Sequence, residues 1–176
     1  MRPGFADDPL MRTHEALQLF DSLDEVDTGF MLGAWSGGEF PTGHPIDGAL
    51  QAYGWRGKRF EGDEHVHPLL FGSEARTFAV RPAWAWRIMP LVQRWPALKT
   101  DAVARGVRML LPLLATRRSA ARLRMMRFRG RTSAAMLYDD IPVQDVFRRM
   151  DGRTVLGLMD AKGMERPFFF ILRRES

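Results

Sequence analysis

Over the last third of the chain, apolar side chains recur at every second position. Arg122, Arg124, Arg127 and Arg129 alternate with Leu123, Met125, Met126 and Phe128, except at the Met-Met pair, where a single β-bulge would restore the alternation. Gly130-Arg131 predicts a turn, residues 132–138 and 143–149 two more strands, and Asp151-Gly152 a tight hairpin into residues 154–159. Lys162-Gly163 marks another reversal before the run Phe168-Phe169-Phe170-Ile171-Leu172. Consecutive strands joined by short turns predict an antiparallel meander.

The earlier chain mixes periods. Thr13 is placed to N-cap a helix carrying Leu17, Phe20 and Leu23, and Ser22 with Glu25 has capping-box spacing for a second helical turn entering Phe30-Met31-Leu32. Residues 33–40 hold too much glycine for a helix interior and predict a strand that another backbone approaches closely. After the turn Pro41-Thr42-Gly43, a compact helix is expected, with Pro45 at its first position, Ile46, Ala49, Leu50 and Tyr53 on one face, and Gly54 as its stop. Residues 55–60 and 66–71 predict a hairpin through Gly62-Asp63, and residues 78–80 another short strand.

From Pro82 to Ala115 the period is helical again. Trp84, Trp86 and Trp95 lead to a helix capped by Thr100, whose Val103, Val107, Leu110, Leu111 and Leu114 form a stripe with Arg105 and Arg108 off it, until Pro112 kinks or ends it. The fold class expected is α+β: an antiparallel β-barrel or strongly curled meander, with N-terminal and inserted helices covering an open end or face. One domain over residues 1–176 is expected, built from parts 1–71, 72–120 and 121–176.

Composition narrows the function. With 45% hydrophobic and 27% charged residues, the 176-residue chain has the balance of an ordered globular protein. The lack of cysteine excludes disulfides, thiolate metal cages and a cysteine nucleophile, and suits a cytoplasmic setting. The first ten residues carry Asp7 and Asp8 and no apolar core of a signal peptide, and the longest apolar stretch, 107–115, is broken by Arg108 and Pro112. The net charge of +5 is uneven: residues 81–131 hold 13 Lys/Arg against one Asp/Glu, whereas residues 1–80 hold 6 against 13. Such a segment either meets anionic membrane or an acidic partner, or is a solvated helix face plus the outer side of a strand. Nucleic acid is disfavoured, because Phe128 is the only aromatic residue in the arginine ladder 122–129.

The sequence also carries a recognisable ordered set: Gly33-Ala34-Trp35-Ser36-Gly37, Pro41-Thr42-Gly43-His44-Pro45, Gly54-Trp55-Arg56-Gly57-Lys58 and Val66-His67-Pro68. It resembles the GXWXG domain of bacterial proteins. The tail, from Tyr138-Asp139 through residues 155–160, Lys162-Gly163 and Pro167-Phe168-Phe169-Phe170, resembles the uncharacterised C-terminal domain that accompanies it. This resemblance implies a fold more than an activity. The early Gly-X-Trp is also similar to the first strand of lipocalins, which implies that Trp35 closes one barrel end under a basic residue of the last strand, here Arg173 or Arg174. The alternative is that Trp35 is a plain core residue.

A barrel of about eight strands either fills with side chains or leaves a cavity. Met125, Met126, Met136, Met150, Met159 and Met164 offer soft thioethers that suit an irregular apolar ligand and equally fill ordinary cores. The first expectation is therefore a pocket for a lipid-like or aromatic molecule, with Trp35, Trp55, Met136 and Met159 as apolar contacts and His44, Asp47 and Lys58 as polar anchors. The second is a cofactor-independent isomerase, cyclase or hydrolase using His44, Asp47 or His67 for proton transfer. His44 and Asp47 can instead serve only the start of the short helix. The third is an interaction module docking through residues 81–131. Asp160 and Lys162 form a separate polar set. His65-X-His67 has a spacing a metal can use but too few ligands, so no metal is assigned. No P-loop, dinucleotide fingerprint, Gly-X-Ser-X-Gly or His-Glu-X-X-His occurs, and no cofactor is implied.

Overall fold

The computed structural model describes residues 9–73 and 76–176. The residues before Pro9, which carry most of the signal-peptide reading, lie outside them. In chain order the elements are α1 (Pro9–Ser22), β1 (Asp24–Glu25), α2 (Thr28–Met31), β2 (Gly33–Glu39), α3 (Ala49–Ala52), β3 (Trp55–Gly62), β4 (His65–Ser73) and β5 (Arg76–Val80). Two helices follow, α4 (Pro82–Arg94) and α5 (Asp101–Leu110), each continued by a 3-10 turn, Pro96–Lys99 and Leu111–Leu114. The chain ends with β6 (Ala115–Thr116), β7 (Ala121–Phe128), β8 (Arg131–Tyr138), β9 (Val143–Arg149), β10 (Thr154–Ala161) and β11 (Phe168–Arg174).

Eight strands close into an antiparallel barrel in the order β3-β2-β11-β10-β9-β8-β7-β4, with β4 returning to β3. The seam between β4 and β7 is short. Val66 pairs with Ala121, helped by the Ala120 amide on the Val66 carbonyl at 3.0 Å. Further along, the same edge of β4 leaves β7 and pairs through Leu70 to Ser73 with β5, which in turn pairs with β6. The sheet forks there, and α4 and α5 are inserted in sequence between β5 and β6, the two strands of one branch. Among the described residues no helix is long and apolar enough to cross a membrane.

The barrel has apolar packing on both faces. Inside lie Trp35, Phe60, Val66, Leu123, Met136, Phe147 and Leu172, all buried. Outside, α1 lays Ala16 and Phe20 over Ala135, Val146, Leu156, Leu158 and Phe169, and full burial of a side chain such as Phe20 contributes about 1.5–3 kcal/mol. This second layer corrects the expected bulge at Met125-Met126. The β7–β8 register is unbroken from Ala121 opposite Tyr138 to Phe128 opposite Arg131. Met126 and Phe128 point outward and join the layer under α1, so apolar residues occur on both parities. Arg148 lies in that layer too, its guanidinium 4.9 Å from the Phe20 ring and Nη2 donating to the Phe128 carbonyl at 3.1 Å.

Other local expectations are corrected by side chains that find nearer partners. Thr13 sits inside α1, donating to the Pro9 carbonyl at 2.8 Å. Asp27, rather than Ser22 and Glu25, caps α2, accepting from the Phe30 amide at 2.6 Å. The Asp151-Gly152 reversal is wider than two residues, because the Asp151 carboxylate accepts from the Arg153 amide at 2.7 Å and the amides of Met150 and Asp151 both reach the Thr154 carbonyl.

Trp35 is 1% exposed. Its indole N–H donates to the Met31 carbonyl at 2.8 Å, and the Arg174 guanidinium lies 4.4 Å from its ring. Arg174 also donates to the Leu32 carbonyl at 2.7 Å and to the Phe30 carbonyl, tying the end of β11 to α2. The last glycine of the motif has a separate reason. A Cβ on Gly37 would fall within the Trp55 ring, so β2 has no side chain where that indole crosses it. Gly57, at φ 139°, lies at a register irregularity between β3 and β4, and a Cβ there would strike the Trp35 carbonyl.

Candidate functional site

The helix-covered end of the barrel holds a cavity of about 190 Å³. Its barrel wall comes from Trp55 and Lys58 on β3, Leu69 and Phe71 on β4, Tyr138 on β8, Val143 and Asp145 on β9, Met159 on β10, and Phe168 and Phe170 on β11. The other wall comes from Ile46, Ala49, Leu50 and Tyr53 around α3, from Trp84, Ala85, Met89 and Val92 on α4, and from Val107, Leu111 and Leu114. Tyr53 fastens α3 to the helical layer by donating to the Leu98 carbonyl at 3.0 Å, and Lys99 donates to the carbonyls of Pro45 and Asp47, each at 2.9 Å.

Within this apolar lining sits one buried polar group of three side chains. Lys58 Nζ is 2.9 Å from Asp145 Oδ2, with the two side chains 3% and 1% exposed. It donates to the Pro68 carbonyl at 3.2 Å and to the Tyr138 hydroxyl at 3.3 Å, while Tyr138 donates to Asp145 Oδ2 at 3.2 Å. β3 and β9 are four strands apart in either direction around the eight-stranded ring, so the ion pair is a strut across the lumen. Aromatic rings surround the ammonium, at 4.9 Å for Phe170, 5.5 Å for Trp55 and 5.7 Å for Tyr138. Burial pushes the Asp145 carboxyl up, against the opposing pull of Lys58 and Tyr138. Burial and the adjacent Asp145 push the Tyr138 hydroxyl well above its usual range. Two buried polar atoms on lining residues, Asp145 Oδ1 and Trp55 Nε1, have no hydrogen-bond partner.

Of the residues singled out from the sequence, Trp55, Lys58 and Met159 line the cavity. Met136 pairs with Asp145 across β8 and β9 but is packed into the filled part of the lumen, and Trp35 faces Met31 and Arg174 instead of the cavity. His44 and Asp47 serve their own loop. Asp47 Oδ2 accepts from the amides of Thr42 and His44 at 3.0 and 2.9 Å, and His44 Nδ1 accepts from the Ile46 amide at 3.1 Å. Burial lowers the His44 pKa, with the Asp47 carboxylate opposing it. His67 lies against Glu61, 3.6 Å away, outside the cavity lining. Asp160 accepts from Gln144 at 2.9 Å and, with Lys162, borders an open depression that shares Tyr138, Ile141 and Val143 with the cavity lining. Among the described residues no group of three His, Asp or Glu side chains is placed to hold a metal.

Tyr138 and Asp145 were not singled out as site residues, although the sequence carries a signal for the second. Val143, Asp145 and Phe147 share one parity of a strand, which puts a carboxylate among inward apolar residues.

An antiparallel eight-stranded barrel, closed by a Gly-X-Trp strand and enclosing an apolar cavity, defines the class of protein. Residues 18–75 match the family described as GXWXG protein, and residues 119–174 match the domain of unknown function DUF4334. The chain belongs to the GXWXG family, with that second domain as its C-terminal part. It is similar to a protein from Thermomonospora curvata known from a crystal structure, at 33% identity and a TM-score of 0.67, over 93% of this chain and 87% of that one. A search among curated proteins gave no match.

Proposed function

We propose that the protein binds a small, largely apolar molecule in the helix-covered cavity, with Trp55 and Met159 among the apolar contacts and the Lys58–Asp145–Tyr138 group facing its polar end. The observation that carries this reading is a cavity lined by apolar side chains that reaches one buried, hydrogen-bonded polar trio. Size narrows the class. A dry apolar cavity of about 150 Å³ takes up benzene, so 190 Å³ suits a ring compound or a short chain, and a longer lipid would extend through the mouth. Because Lys58 and Asp145 neutralise each other, the site suits a hydroxyl or carbonyl group better than a free carboxylate.

Fluorescence titration with 1-aminoanthracene tests the reading. Saturable binding that Leu69→Trp blocks by filling the cavity supports it, and equal binding by both proteins refutes it.

A second reading, proton transfer without a cofactor, draws on the same trio: the Asp145 carboxylate, made more basic by burial, can take an α-proton from a bound ketone while the electron pair moves to the carbonyl oxygen, held as an enolate by the Lys58 ammonium. It predicts protein-dependent exchange of cyclohexanone α-protons in D2O, lost in Asp145→Asn. Strands from both family matches close one ring, β2 to β4 forming one arc and β7 to β11 the other, which supports a single folding unit. The lack of cysteine keeps a cytoplasmic setting within the proposal.

A further inference from the structure

Helix α4 is apolar on two sides. Ala85, Met89 and Val92 turn inward to the core and the cavity. Trp84, Ile88, Leu91 and Trp95 recur at helical spacing on another side and are between 45 and 58% exposed. The apolar stripe that begins on α5 is divided in the same way. Leu111 packs inward, whereas Val103, Leu110 and Leu114 are exposed, together with Met109 and with Leu113 at 80%. Exposed apolar residues are ordinary when scattered, but a set concentrated on neighbouring helical elements marks an interaction surface. Trp84, Ile88 and Leu114 belong both to this surface and to the cavity lining, which places the cavity mouth on it.

Charge identifies the partner. The basic segment divides into two parts. On β7 and the turn after it, Arg122 and Arg129 pair with Asp139 at 3.2 Å and Asp21 at 2.7 Å and Arg124 pairs with Glu64, while Arg127 is exposed and, among the described residues, pairs with no carboxylate. On α4 and α5, Arg87, Arg94, Arg105 and Arg108 are exposed and, like Arg117 just after β6, pair with no carboxylate among the described residues. Arg87 instead lies 5.7 Å from the Trp84 ring. Two copies of such a surface brought face to face would repel. An anionic phospholipid surface attracts it, and interfacial tryptophans with flanking arginines suit the headgroup region.

We propose that α4, α5 and their 3-10 turns dock this end of the barrel on an anionic phospholipid membrane, with the cavity mouth turned to the lipid. Docking stands on the exposed surface alone. The ligand proposal adds what the docking would be for, since an apolar molecule could then pass between bilayer and cavity without crossing water.

Co-sedimentation with vesicles of phosphatidylcholine, with and without phosphatidylglycerol, tests it on the full chain. The protein should sediment only with the anionic vesicles and be released as salt rises. Arg94→Gln and Arg105→Gln should each weaken binding about fivefold at low salt. Leu91→Ser with Leu113→Ser should abolish it while leaving the circular dichroism unchanged, since both side chains are exposed. Leu69→Trp, which fills the cavity, should sediment like wild type, so failure of the ligand reading stays distinguishable. Absence of sedimentation at low salt, or equal sedimentation with phosphatidylcholine alone, overturns the proposal. So does a dimer in sedimentation velocity that Leu91→Ser with Leu113→Ser converts to monomer, which would make the occupant a second copy.

Discussion

Replacing Lys58 by Met removes the ammonium from the strut but keeps an unbranched stem. Three acceptors lose their donor: Asp145 Oδ2, the Pro68 carbonyl and the Tyr138 hydroxyl oxygen. Asp145 Oδ1 has no partner to begin with, so the carboxylate would keep only the Tyr138 hydroxyl. Breaking a buried pair from one side costs about 3–5 kcal/mol. The carboxylate can escape by taking up a proton, which from an ordinary aspartate pKa near 3.9 costs about 4 kcal/mol at pH 7. Both routes give a destabilisation near 4 kcal/mol.

They also fix its pH dependence. Without Lys58, burial acts on Asp145 opposed only by Tyr138, so the folded variant holds a proton that the unfolded chain releases near pH 4. Stability of the variant then falls as pH rises from about 4 through the raised folded pKa, by up to about 1.4 kcal/mol per unit. The deficit relative to wild type should therefore shrink on acidification. Urea denaturation of both proteins between about pH 5 and pH 8 measures it, and Lys58→Met with Asp145→Leu should recover most of the loss. A deficit below about 1 kcal/mol at pH 7, or one that does not change with pH, would refute a buried ion pair across the lumen.

Three further outcomes are expected. Trp35→Ala should cost about 3–5 kcal/mol and Arg174→Gln about 0.5–2 kcal/mol in the same denaturation experiment, and a Trp35→Ala cost below about 1 kcal/mol would remove the closure. Gly37→Ala should cost about 1–3 kcal/mol by overpacking and shift the Trp55 indole resonance in an NMR spectrum, whereas an unmoved resonance would contradict the close approach. His44 has its folded pKa lowered by burial, so the unfolded chain binds the extra proton and stability should fall as pH drops below about 6.5. His44→Asn should lessen that slope, and an unchanged slope would assign it elsewhere.

Alternation made the C-terminal meander legible, and the pairing of a Gly-X-Trp strand with terminal arginines made the closure legible. The structure selects Arg174, the register partner of Trp35. Lys58 could be found because it shares strand parity with the buried Phe60. Its partner could not be found from spacing, since Asp145 lies 87 positions away and meets it only through ring closure. Parity misled at Met125-Met126 because α1 covers the outer face of the barrel, a contact between distant segments. His44 and Asp47 drew attention as polar residues in a Pro/Gly-rich loop, yet such loops leave amides unpaired and these side chains satisfy them. The division of α4 into inner and outer apolar sides was also hidden, because periodicity locates a stripe without saying what covers it.

The central claim, that the cavity holds a small apolar molecule, is tested most directly by native mass spectrometry of protein exposed to a panel of ring compounds and short-chain alcohols and then desalted. Wild type should carry a one-to-one adduct that is released on denaturation and absent from Leu69→Trp. Bare protein across the panel, or an adduct equally abundant in the cavity-filled variant, would contradict it.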